Sequence, residues 1–134
     1  MPLVRIDLMK GRGEREIAAI GAAVQEALVA VMNVPERDRF QVIAEHEPAR
    51  FVYDDAYLGV KRTDGIVFIQ VVLSKGRTTE QKQAFYALVA RLLAEQAAVR
   101  QEDVAISIVE STREDWSFGN GVAQYLVLPK EEWK

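Results

Sequence analysis

The sequence predicts an α+β fold in which two β-α-β units form one four-stranded mixed sheet with two helices on one face. Three observations lead there. A shift of 65 residues lays Leu8-Met9-Lys10-Gly11-Arg12 on Leu73-Ser74-Lys75-Gly76-Arg77, Val34 on Val99, Asp38 on Asp103, Ile43 on Ile108 and Glu45 on Glu110. Each copy reads strand, helix, strand, and two copies suggest a pseudo-two-fold domain. The chain has 134 residues, 49% hydrophobic and 28% charged. That makes about one domain, able to hide roughly two-thirds of its unfolded surface. We therefore read residues 1–134 as a single domain. Its pseudo-repeats are about 1–46 and 66–110, with a linker at 47–65 and a hairpin or tail at 111–134.

The elements follow in order. Residues 3–8 alternate partly at period two, as a half-buried strand does. Gly11 and Gly13 break it. A helix runs over about 14–31, with Ile17, Ile20, Val24, Ala27, Leu28 and Val31 recurring at three and four. Asn33 and Pro35 end it. Residues 39–45 form the second strand. Residues 66–73 are rich in β-branched side chains and read as a buried strand. Thr78 or Thr79 caps a helix over 80–97, with Phe85, Leu88, Val89, Leu92 and Leu93 on one face. Residues 104–109 are the last core strand. Asn120-Gly121 signals a hairpin, and the end at 130–134 reads as solvated. Units of this length imply parallel strands within each unit. Two helices on one side leave the other sheet face to be covered, which predicts an oligomer whose sheets pack inward.

Composition excludes several classes. Cysteine is absent, which removes disulfides, thiol catalysis and cysteine-based zinc sites. His46 is the one histidine, which argues against a multi-histidine metal site or a serine–histidine dyad. A net charge of −3 offers no electrostatic case for nucleic acid or an anionic membrane. No apolar run approaches the ~18 residues of a membrane span. Arg5, Asp7 and Lys10 interrupt any signal-peptide core, so a cytoplasmic protein is expected.

Four features carry candidate chemistry. Met1-Pro2 precedes a strand. Removal of Met1 would leave a secondary amine able to act as acid or base, or to form an iminium, although many proteins begin this way without using it. Lys75-Gly76-Arg77 lies between a strand and a helix N-terminus, a natural anion site. Arg77 could hold a carboxylate by two parallel hydrogen bonds; the bland alternative is a solvated turn. Asp38, in Pro35-Glu36-Arg37-Asp38-Arg39, could serve as a base, or could sit in a charged turn as its mate Asp103 does. Trp116, Phe118 and Tyr125 could wall a pocket, or could pack a core or subunit interface. His46 reads as a strand-end surface or interface residue.

Together these residues resemble the tautomerase superfamily of small β-α-β proteins, which includes macrophage migration inhibitory factor, and within it the malonate semialdehyde decarboxylases. The carriers are Met1-Pro2-Leu3, the stretch from Val34 to Gln41, Leu58-Gly59 with Arg62-Thr63, Arg77-Thr78 with Glu80-Gln81-Lys82, the stretch from Ser107 to Glu110, and Asp115-Trp116-Ser117-Phe118-Gly119-Asn120-Gly121. The resemblance implies Pro2 as catalytic amine, Asp38 as its assisting aspartate, Arg77 on the substrate carboxylate, and Trp116 and Phe118 along a hydrophobic wall. It also implies a homotrimer that needs no metal or organic cofactor. Lys75 stands where that group carries the first arginine of an Arg-x-Arg turn, and a lysine is a point charge rather than a fork.

The leading expectation is a cofactor-independent carboxy-lyase that converts malonate semialdehyde to acetaldehyde and CO2, with Lys75 and Arg77 orienting the small carboxylate substrate. The alternatives are tautomerisation of a 2-hydroxydienoate or hydration of an unsaturated three-carbon acid at the same proline, and a noncatalytic oligomeric binding protein.

Overall fold

Four strands form, β1 (Leu3–Met9) and β2 (Gln41–His46) from partly alternating residues and β3 (Val67–Ser74) and β4 (Val104–Ser111) from runs rich in β-branched residues. The computed structural model describes residues 2–133. The strands form one sheet in the order β2-β1-β3-β4. β1 is parallel to β2 and β3 to β4, while β1 and β3 meet antiparallel. This is the mixed sheet expected of two β-α-β units. Its register lines up Ile43, Ile6, Ile69 and Ile106 in one row across all four strands. All four belong to, or pack against, the core.

Two helices cover that face, α1 (Glu14–Met32) and α2 (Thr79–Ala97). Glu14 and Glu16 in the first turn of α1 complement the positive end of its dipole. α2 begins with a capping box in which Gln81 N–H donates to the Thr78 hydroxyl and Thr78 N–H to Gln81 Oε1. Ile20, Val24 and Leu28 from α1 meet Phe85, Val89 and Leu93 from α2 over Val4, Ile6, Leu8, Ile69 and Val71. Full burial of each large aliphatic side chain here stabilises the fold by about 1.5–3 kcal/mol. Gly21 leaves room for the Gln41 side chain, whose Oε1 would lie 2.7 Å from a Cβ there and whose Nε2 donates to the Gly21 carbonyl at 2.9 Å.

The duplication extends to the helix ends. Asn33 and Ala98 both adopt left-handed backbone, at φ 58° and 54°. Val34 and Val99 then donate their N–H groups to the Leu28 and Leu93 carbonyls, at 3.4 and 3.1 Å. Both ends resemble the same Schellman closure. Val34 and Val99 are repeat mates, and both are buried.

Three expectations change. β2 starts at Gln41 rather than 39, because the Asp38 and Arg39 N–H groups are taken by the Pro35 and Arg37 carbonyls in the preceding turn, both at 3.0 Å; the Phe40 ring faces Phe118, 6.1 Å away between centroids. No hairpin forms after β4. Gly119, Asn120 and Gly121 all have positive φ and lead into a short helix, α3 (Gln124–Val127). The Gln124 side chain explains this. It accepts from Phe118 N–H and donates to the Gly119 carbonyl, both at 2.8 Å, and so closes the turn before a returning strand can pair. Nor is the whole end solvated, since Trp133 packs its ring against Tyr125 at 4.7 Å.

The linker is pinned at its far end. Arg62 donates to the carbonyls of Asp54, Tyr57 and Val60, and Arg12 to that of Gly65. The opposite sheet face has no helix over it, and Val42, Phe68 and Val109 are 46%, 42% and 42% exposed there. Asp7 and His46 pair on that face at 2.6 Å. Among the described residues no helix is long and apolar enough to cross a membrane.

Candidate active site

Asp38 sits in the loop between α1 and β2, and the loop is held from α1. The buried Gln25 donates through Nε2 to the Glu36 and Asp38 carbonyls, both at 3.3 Å. Two cavities, each of about 260 Å3, meet at Asp38, Tyr125 and Trp133. One is largely aromatic and apolar, with Phe40, Phe118 and Leu128 in its wall. The other is cationic: Lys75, Arg77 and Arg113 line it, and Asp38 is the one carboxylate among its lining residues. Asp38 thus faces apolar and charged surroundings together. Burial pushes its carboxyl above the usual aspartate range, opposed by the nearby Arg77 charge.

Arg77 is placed by the end of α1. Its Nε and Nη2 donate to the Met32 carbonyl at 3.1 and 2.8 Å, and its Nη1 to the Ser74 carbonyl at 3.0 Å. Gln81 donates to the neighbouring Val31 carbonyl at 3.1 Å. The start of α2 therefore satisfies the open carbonyls at the end of α1. Burial lowers the Arg77 pKa, while Tyr125 and Asp38 favour its charge. Two of its five N–H donors remain for a ligand. Lys75 is exposed at the rim of the same cavity.

The aromatic residues divide their work. Phe118 lines the apolar cavity, whereas Trp116 stacks behind it at 5.6 Å and 10° and donates its indole N–H to Ser111 Oγ at 2.8 Å. Tyr125 meets Phe118 edge-on at 5.1 Å. Its phenol is pushed up to about 12, by burial first and by Asp38 second, so it stays a proton donor at neutral pH. Pro2 is buried just ahead of β1 and lines neither cavity. Met1, whose removal would turn the Pro2 nitrogen into an amine, lies outside the described residues. Of the expected residues, the structure brings Asp38, Arg77, Lys75 and Phe118 to the cavities and puts Trp116 in support. Arg113 and Trp133 escaped the sequence reading, and Tyr125 entered it only as part of an aromatic cluster.

Residues 38–119 match one family model described as tautomerase enzyme, and residues 2–61 match a second model of the same description. The chain belongs to the tautomerase family. The chain is 43% identical to the probable tautomerase YusQ of Bacillus subtilis (strain 168), over 94% of this chain and 99% of that protein. Among solved structures, it is 44% identical to FG41 malonate semialdehyde decarboxylase inhibited by 3-bromopropiolate, with a TM-score of 0.87 over 92% of this chain and 94% of that one. It is 35% identical, again with a TM-score of 0.87, to a malonate semialdehyde decarboxylase solved in wild-type, mutant and inactivated forms; that match covers 92% of this chain and 95% of that one. A fused 4-OT symmetric trimer shares the fold, with a TM-score of 0.75 at 20% identity over 93% of this chain and 98% of that one.

Proposed function

We propose that this member of the tautomerase family is a cofactor-independent decarboxylase of a small 3-oxo acid, with malonate semialdehyde the first candidate. The observation that carries the reading is the position of Asp38, shared between a cationic cavity and an apolar one. Decarboxylation wants both. Cations orient the carboxylate, and an apolar wall favours departure of neutral CO2. The likeness to two malonate semialdehyde decarboxylases over nine-tenths of the chain supports it.

In this reading Met1 is removed and the Pro2 amine, assisted by Asp38, carries a proton that polarises the aldehyde oxygen. Arg77, with Lys75, holds the carboxylate so that its bond to C2 overlaps the carbonyl π system. That bond breaks, its electron pair moves into the C2–C3 bond as the carbonyl becomes an enolate, and CO2 leaves. The enolate takes a proton at C2 and becomes acetaldehyde. Lys75 and Arg77 must orient more than they bind, because a grip that favours the charged carboxylate over the transition state would raise the barrier. Proton NMR of the protein mixed with malonate semialdehyde, beside a Pro2→Ala protein, tests it through acetaldehyde. Equal acetaldehyde from both proteins would remove Pro2 from the mechanism.

A second reading keeps the site and changes the reaction to tautomerisation or hydration. The raised Asp38 carboxyl suits a base nearer neutrality, and the relative YusQ is described as a probable tautomerase. In either case we infer a homotrimer with the sheets turned inward, which would cover Val42, Phe68 and Val109.

A further inference from the structure

The cationic cavity holds one guanidinium that the reading above leaves unused. Arg113 begins the turn Arg113–Asp115 that follows β4. Asp115 shapes this turn: its carboxylate accepts from Thr112 N–H at 2.7 Å and from the Thr112 hydroxyl at 2.9 Å. It is thereby engaged with Thr112 rather than with Arg113. The Arg113 guanidinium lies over the Trp133 ring, 4.9 Å from its centroid. Trp133 is itself fixed, with its indole N–H on the Leu128 carbonyl at 3.2 Å and its ring against Tyr125. A guanidinium is attracted to an indole face, and stacking leaves its in-plane N–H groups facing outward. No hydrogen bond or ion pair among the described residues engages those donors. Arg77, by contrast, gives three donors to backbone carbonyls, and Lys75 has no fork.

We propose that Arg113, seated on Trp133, joins Arg77 and Lys75 at the substrate carboxylate, adds the two-pronged grip, and so selects carboxylate-bearing substrates for this site. The proposal rests on the reading that the cationic cavity receives the substrate, and not on which reaction follows. Holding the fork in place before binding removes part of the ordering cost that a free arginine would carry. It also supplies the planar recognition that Lys75 cannot.

Calorimetric titration with malonate, an unreactive carboxylate probe, tests this on the full-length protein. Arg113→Gln should weaken malonate binding about tenfold or more, the scale of a charged hydrogen-bonded pair. Arg113→Lys, which keeps the charge without the fork, should fall between the two. Trp133→Leu should also weaken binding by removing the seat. Unchanged affinity in Arg113→Gln, or no malonate binding by the parent protein, would overturn the proposal. Should Arg113→Gln melt early, Arg113→Lys decides at the parent's melting temperature, because parental affinity there would exclude a role for the fork. A parent protein that binds malonate through Arg113 but forms no acetaldehyde would contradict the decarboxylase reading alone.

Discussion

Asp38 and Asp103 occupy equivalent places in the two halves of the chain, yet their carboxylates have opposite surroundings. Asp103 is 2% exposed and closed in by its own chain. Thr63 N–H and hydroxyl donate to it at 2.7 and 2.6 Å, and Arg100 at 3.4 Å. Asp38 faces two open cavities. The linker end at Thr63 supplies donors to Asp103, whereas Asp38 lies at the junction of two cavities. One duplication thus carries a structural carboxylate and a candidate catalytic one.

For Asp38 the sign of the pH effect follows from its raised pKa. The folded state holds this proton more tightly than the unfolded chain, so stability falls as pH rises from the ordinary aspartate value through the folded one. Asp38→Asn carries no such loss. The melting temperature of the variant relative to the parent should therefore be higher at neutral pH than at acid pH, while activity drops by about tenfold or more. Thermal melts across that range, beside rates at neutral pH, check both.

Asp103→Ala should behave in the reverse way. Removing a buried acceptor leaves the Thr63 N–H and hydroxyl without their partner, at a cost of about 1–3 kcal/mol. Urea unfolding should show the loss, and kcat per folded molecule should stay near the parent's.

Arg77 joins structure to site. Arg77→Gln removes the donors that hold the Met32 and Ser74 carbonyls. It should lower stability by about 1–3 kcal/mol and raise KM for a carboxylate substrate. A stability loss with unchanged KM would assign Arg77 to capping α1 alone.

The uncovered sheet face makes its own prediction. Phe68→Glu, or Val42→Glu in its place, puts a charge on a surface expected to be buried between subunits. Sedimentation should show smaller assemblies for either variant and a trimer for the parent.

The fold was legible because its signals are local and doubled. The period-two strands, the Asn33 helix end and the 65-residue shift point to one topology, and each half checks the other. Asp38 and Arg77 were legible as turn residues beside strand ends. The region after residue 111 was not. Asn120-Gly121 suits a hairpin, and only the Gln124 side chain, reaching back to Phe118 and Gly119, redirects the chain. After that turn, Tyr125 and Trp133 line both cavities. Arg113 escaped notice because its partner Trp133 lies twenty residues further along, across an irregular segment.

The most direct measurement remains proton NMR of malonate semialdehyde with the protein bearing a free Pro2 amine, beside Pro2→Ala. Acetaldehyde formed by the parent and largely lost in Pro2→Ala is the expected result. A parent protein with its amine confirmed free that forms no acetaldehyde would contradict the decarboxylase reading and turn the search to tautomerase and hydratase substrates.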